Sequence, residues 1–110
     1  MRVSKELMKG TGAALVMRVL EREDLYGYRI VKTLEEMSEG LFHMNEGSLY
    51  PILHALEAEG LLDSYWQEYD GRRRKYYTLT AKGKRALAEK KEEWQTFSSA
   101  VSKVLGTSLA

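Results

Sequence analysis

The chain has no cysteine and only one proline in 110 residues. Without cysteine it forms no disulfide, no thiolate metal site and no cysteine nucleophile. It has no apolar run of membrane-spanning length, so no membrane partner is expected. The start, Met1-Arg2-Val3-Ser4-Lys5-Glu6, lacks the apolar core and cleavage site of a signal peptide. These absences together predict a cytoplasmic chain. Catalytic groupings are missing too. Two isolated histidines, with no phosphate-binding glycine motif and no paired-acid pocket, predict neither an enzyme nor a metal site nor a bound cofactor. There is also no excess of one charge: 17 Lys and Arg against 16 Asp and Glu leave +1, whereas nucleic-acid binders often carry a domain-wide basic excess.

What is present is a globular composition, 44% hydrophobic and 30% charged, at a length suited to one small core. The cations are unevenly placed. Arg72, Arg73, Arg74 and Lys75 follow one another, while acids gather at Glu35, Glu36 and Glu39 and at Glu89, Glu92 and Glu93. A local basic patch on a near-neutral body still binds phosphate.

Apolar positions Leu7, Ala14, Leu15, Val16, Val19 and Leu20 recur at three- and four-residue steps and predict a helix over 5–22. Gly10 and Gly12 are unfavourable inside it; they mark either a frayed first turn or close approach by another helix. Asp24 is the expected N-cap of a second helix with a stripe of Tyr26, Ile30, Leu34 and Met37, stopped at Gly40. His43, in the short connection that follows, reads as solvated. A third helix begins at Asn45 or Ser48 and ends at Gly60. Pro51 is costless only for the later start, where its missing N–H would be an orphan anyway.

At 100° per residue, Leu49, Ile52, Leu53 and Leu56 share the core face of this third helix, and Gly47, Pro51, His54 and Ala58 lie opposite. The outward face has no Arg, Lys, Asn or Gln for bidentate base contacts. If it enters a DNA groove, it reads through His54, apolar contacts and shape. Ser48, Tyr50 and the backbone at the helix start would hold phosphate. Residues 61–69 and Lys75–Leu79 suit paired strands, and Asp70-Gly71 is a hairpin signal. That places Arg72, Arg73 and Arg74 at or beside a hairpin tip, where they suit phosphate or minor-groove contact. Lys75 completes the patch.

Thr80 caps a last helix reaching Leu105, about 25 residues and some 37 Å long. Leu87, Trp94, Phe97, Val101 and Val104 fit a heptad seam and call for a partner helix. A homodimer is the simplest answer, since a two-fold dimer presents two hairpins to a pseudo-palindromic operator in double-stranded DNA. The expected fold is mainly α with a small β-hairpin. Residues 1–80 form a winged helix–turn–helix DNA-binding domain, 81–105 a C-terminal dimerisation helix, and 106–110 a flexible tail.

Several blocks carry a family resemblance. They are Tyr26-Gly27-Tyr28 with Ile30, Gly47-Ser48-Leu49-Tyr50-Pro51 with Leu53, Leu56-Glu57 with Gly60-Leu61, and Arg74-Lys75-Tyr76-Tyr77 with Leu79-Thr80 and Gly83. Together they resemble the PadR family of bacterial transcriptional regulators, in its smaller subgroup with a single long C-terminal helix. The resemblance implies a homodimeric winged-helix repressor, released from its operator by a small molecule or another signal. It maps DNA contact onto Ser48, Tyr50 and Arg72–Lys75, with Tyr28 as a further backbone contact. It also places Trp94 where members of the subgroup bind flat aromatic molecules, although Trp94 equally suits simple packing of the dimer seam. The competing reading is a winged-helix protein–protein module whose basic hairpin binds an acidic partner, because fold alone does not decide function.

Overall fold

The computed structural model describes residues 10–107; Leu7 and the last three residues of the expected tail lie outside them. The order is α1 (Gly12–Arg22), β1 (Leu25–Tyr26), α2 (Gly27–Met37), α3 (Glu46–Ala58), β2 (Leu62–Tyr69), β3 (Arg72–Leu79) and α4 (Ala81–Leu105). Three helices pack beside an antiparallel sheet of order β1-β3-β2. None of the described helices is long and apolar enough to cross a membrane.

The two glycines of the first segment have different roles. Gly10 lies before α1 with φ +87°. Gly12 opens the helix, and a Cβ there would come within 3.1 Å of Ile52 Cδ1. Close approach by α3 therefore accounts for Gly12. From α1, Val16, Met17, Val19 and Leu20 enter the core.

Asp24 does not cap α2. The chain stays extended for two more residues, Leu25 and Tyr26 pair with Tyr77 and Tyr76, and Tyr26 is the residue before the helix. The Asp24 carboxylate instead accepts a hydrogen bond from the Tyr65 hydroxyl at 2.7 Å. The predicted α2 stripe narrows to Ile30 and Leu34, while Met37 is exposed. Gly40, at φ +83°, donates to the Glu35 carbonyl at 2.8 Å and closes the turn.

Asn45 caps α3, its side chain accepting from Ser48 N–H at 2.8 Å. The earlier of the two expected starts is therefore used, and Pro51 lies inside the helix. Leu49, Leu53 and Leu56 face the core. At the other end Leu61 N–H donates to the Leu56 carbonyl and Gly60 N–H to the Glu57 carbonyl (2.9 and 3.0 Å), with Gly60 at φ +76°. This left-handed C-terminal motif turns the chain into the hairpin.

The hairpin runs longer than the sequence suggested. β3 begins at Arg72, so the arginines are strand residues directly after the turn. Asp70 and Gly71 both have positive φ, 52° and 74°, the geometry of a type I′ turn. Thr80 then caps α4, its hydroxyl oxygen accepting from Gly83 N–H at 3.0 Å. The same hydroxyl donates to the Gly60 carbonyl at 2.8 Å, and Lys82 Nζ donates to the Glu59 carbonyl at 2.8 Å. The end of α3 and the start of α4 are thereby joined. A Cβ on Gly83 would collide with the Leu61 carbonyl oxygen, so this junction tolerates no side chain there.

Leu87 was expected in a dimer interface. It is instead 1% exposed and part of the chain's own core, which leaves it nothing to offer a second chain. The remainder of the seam is different. Trp94 and Phe97 are 54% and 59% exposed, Val101 37% and Val104 87%. Gly106, at φ +75°, ends the helix, and Thr107 N–H returns to the Ser102 carbonyl at 2.9 Å; these two tail residues form a helix cap.

Candidate nucleic-acid interface

The start of α3 is open to solvent. Gly47, Ser48, Tyr50, Pro51, His54 and Ala58 are all exposed, as the helical phase predicted. Tyr50 leans back over α2, where a Cβ on Gly27 would come within 2.7 Å of the Tyr50 hydroxyl oxygen. Glycine at 27 is thus what lets Tyr50 cross the opening of α2. The Tyr50 and His54 rings lie 6.1 Å apart and form one aromatic surface on the exposed side of α3. Tyr28 is half-exposed, with Lys32 Nζ 5.8 Å from its ring centre. His43 is exposed, as expected, with its Nδ1 3.3 Å from Glu35 Oε2.

Glu57 joins α3 to the hairpin. Its carboxylate accepts from the Ser64 hydroxyl at 2.6 Å and lies 3.9 Å from Lys75 Nζ. Ser64 pairs with Tyr77 across the ladder, and the Tyr77 phenol is pushed up by burial first and then by the negative field of Glu57. In the sequence Glu57 stands out only as part of the Leu56-Glu57 block. Its partners lie on strands β2 and β3, so only the folded register makes it a tie.

The opposite face of the hairpin carries a tyrosine stack. Tyr76 packs edge-on to Tyr26 at 5.5 Å and face to face with Tyr65 at 5.7 Å. Donation to Asp24, followed by burial and the carboxylate's field, pushes the Tyr65 phenol up to about 12.

These two faces divide the expected four-cation patch. The Arg74 guanidinium sits 4.3 Å from the Tyr26 ring centre, half-buried, and its Nε is the one buried side-chain polar atom without a hydrogen-bond partner among the described residues. Stacking on the ring's negative face offsets that lost bond in part. Lys75 is held by Glu57 and lies 5.5 Å from the Tyr77 ring centre. Arg72 and Arg73 remain exposed. The patch expected from the sequence is therefore two exposed cations and two half-buried ones, and among the described residues only Arg72 has neither a ring nor a carboxylate as a partner. Among the described residues no group of His, Cys, Asp or Glu is placed to hold a metal.

A chain with this helix and hairpin has known relatives. The model of the transcriptional regulator PadR-like family matches residues 16–89. The chain belongs to the PadR-like family. Its members are transcriptional regulators, not enzymes. A transcriptional regulator from Clostridium thermocellum is similar in structure, with a TM-score of 0.84 at 29% identity, over 90% of this chain and 97% of that one. A PadR family transcriptional regulator from Eggerthella lenta shares 39% identity and a TM-score of 0.80, over 94% of this chain and 88% of that one. Transcriptional regulator Rv3488 of Mycobacterium tuberculosis is 46% identical over 55 residues, which is 50% of this chain and 51% of the relative. The family match covers both α3 and the hairpin and ends at residue 89, just beyond Leu87 in α4.

Proposed function

We propose that this PadR-like regulator is a homodimeric repressor that binds a pseudo-palindromic operator in the cytoplasm and is released by a small molecule or another signal. The observation that carries the reading is the Glu57 tie. It fastens the C-terminal end of α3, whose start exposes Ser48, Tyr50 and His54, to a hairpin whose Arg72 and Arg73 are exposed. The helix start enters the major groove, its hydroxyls and N–H groups take phosphate, and the hairpin carries the remaining positive charge to the flank. Tyr28, beside Lys32, adds a backbone contact. Residues 1–80 form the DNA-binding unit, and 81–105 join two such units. Exposed Trp94, Phe97, Val101 and Val104 support a helix seam between copies, because apolar groups of that size in one row are covered in stable proteins.

Selection of bound sequences from random duplex DNA tests the reading. The expected result is an enriched palindrome bound with strong salt dependence, weakened when Arg72→Ala and Arg73→Ala are combined. Failure to enrich any palindrome would sink it. Repeating the binding with planar aromatic compounds tests release: a compound that quenches Trp94 fluorescence and weakens DNA binding is an effector. Absence of quenching by any compound leaves Trp94 a packing residue, and quenching without an effect on DNA is binding without release.

A further inference from the structure

Strand alternation places Arg73 and Lys75 on the face of β3 that also carries Tyr77. Their cross-strand partners there are Glu68 and Trp66, with Ser64 opposite Tyr77. This is the face tied to α3 through Glu57, and the tie uses Ser64 and Lys75. Beyond it the face continues with Trp66 and Arg73. The Arg73 guanidinium sits 5.1 Å from the Trp66 ring centre, reaching it along the cross-strand diagonal. Trp66 is 57% exposed and takes no part in the core. Arg73 forms no ion pair among the described residues, although Glu68 faces it across the ladder. The largest side chain of the hairpin thus carries on its ring a cation with no ion pair among the described residues.

A guanidinium lying on an indole keeps the N–H donors at its rim while one of its faces is shielded from water. Two things follow. Fewer rotamers are lost when the arginine is ordered on a ligand. Less water has to be shed on entering a narrow groove, where the concentrated negative potential attracts arginine. Arg72, on the other face of the strand, has no such platform among the described residues. Arg74 has one in Tyr26, but is half-buried there.

We propose that Trp66 is a positioning residue that aims Arg73 into the minor groove beside each half-site. The proposal rests on the DNA-binding reading above. It assigns the hairpin's contribution to sequence preference to one arginine and its indole platform, with A·T-rich flanks favoured because they narrow the groove.

The test uses the full chain and a selected duplex, with titrations over a range of salt. Trp66→Ala is expected to lower affinity about 3- to 10-fold by removing preorganisation. Its salt slope should match that of the native chain, because no charge is removed. Arg73→Ala is expected to lower the slope by about one for each hairpin engaged, and Trp66→Phe should recover most of the affinity. The double variant Trp66→Ala with Arg73→Ala should bind no worse than Arg73→Ala alone. Additive losses in the double variant, or an unchanged affinity in Trp66→Ala, would overturn the proposal. Replacing A·T-rich flanks with G·C pairs should weaken the native chain and leave Arg73→Ala indifferent; flank preference retained in Arg73→Ala overturns the groove assignment. A native chain that binds no duplex at all overturns the DNA-binding reading itself. That outcome differs from native binding accompanied by an idle Trp66.

Discussion

In the body of the molecule, α1 hides five of its eleven residues; in the far part of α4, residues 88–105 hide none. Both segments are helices with regular apolar spacing. They differ in what surrounds them. The side chains of α1 meet α3, the sheet and the first turns of α4 in one core, whereas the seam residues beyond Leu87 project along an arm of a molecule 52 Å long. The body closes around its own core and the arm leaves its apolar row exposed, so on the proposed dimer the two should respond differently to mutation, dilution and pH.

The largest contrast is expected from core truncation. Leu53 is fully buried, and Leu53→Ala should cost about 2–5 kcal/mol in a denaturant melt. A loss below ~1 kcal/mol would mean that the body is looser than its packing shows. The converse change is Trp94→Glu combined with Phe97→Glu. Sedimentation should show a fall from two chains to one while the secondary structure of the body persists, and the melting temperature of the native chain should rise with concentration. A double variant that remains a dimer would move the seam to another face. Within the body, Glu57→Gln weakens both the Ser64 and the Lys75 contact. A loss of ~1 kcal/mol, with DNA affinity reduced by more than that loss of stability explains, would establish Glu57 as a tie between helix and hairpin.

The smallest effect is one of pH. The Tyr65 phenol, held protonated by donation to Asp24, is raised from 10.0 to about 12. Its contribution to stability is therefore complete below pH 10 and fades as the pH rises through about 12. Tyr65→Phe should remove that dependence in melts across this window without altering the mass in sedimentation. Equal alkaline curves for the two proteins would exclude a contribution from the Asp24 bond.

Much of this division is legible in the sequence because its signals are local. Asp70-Gly71 specifies its turn, Thr80 caps its helix three residues before Gly83, and the stripe of Leu49, Leu53 and Leu56 needs only its own phase. The misreadings involve partners distant in the chain. Asp24 has the chemistry of an N-cap, but Tyr65 takes its carboxylate and β3 keeps the next two residues extended. Leu87 fits the heptad as well as Trp94 does. Helical periodicity says that a face is covered, not whether the cover belongs to the same chain. The run from Arg72 to Lys75 reads as four equal charges until the register shows Tyr26 beneath one and Glu57 beside another. Trp66 could have been noticed as a bulky aromatic opposite a basic run. That Arg73 rather than Lys75 uses it depends on the diagonal of the folded ladder.

The turn at Asp70-Gly71 also sets a rule of parity for this hairpin. Two residues, both at positive φ, reverse the chain with no slack. A single residue inserted into either strand would exchange its two faces from that point to the tip. Arg73 would leave its indole and Arg74 its phenol ring. Unless a bulge absorbs the change, the wing can lengthen or shorten only by matched pairs, one pair from each strand, two pairs at a time. Wing lengths among functional relatives should accordingly cluster at intervals of four residues, with intermediate lengths accompanied by a bulge or a different turn.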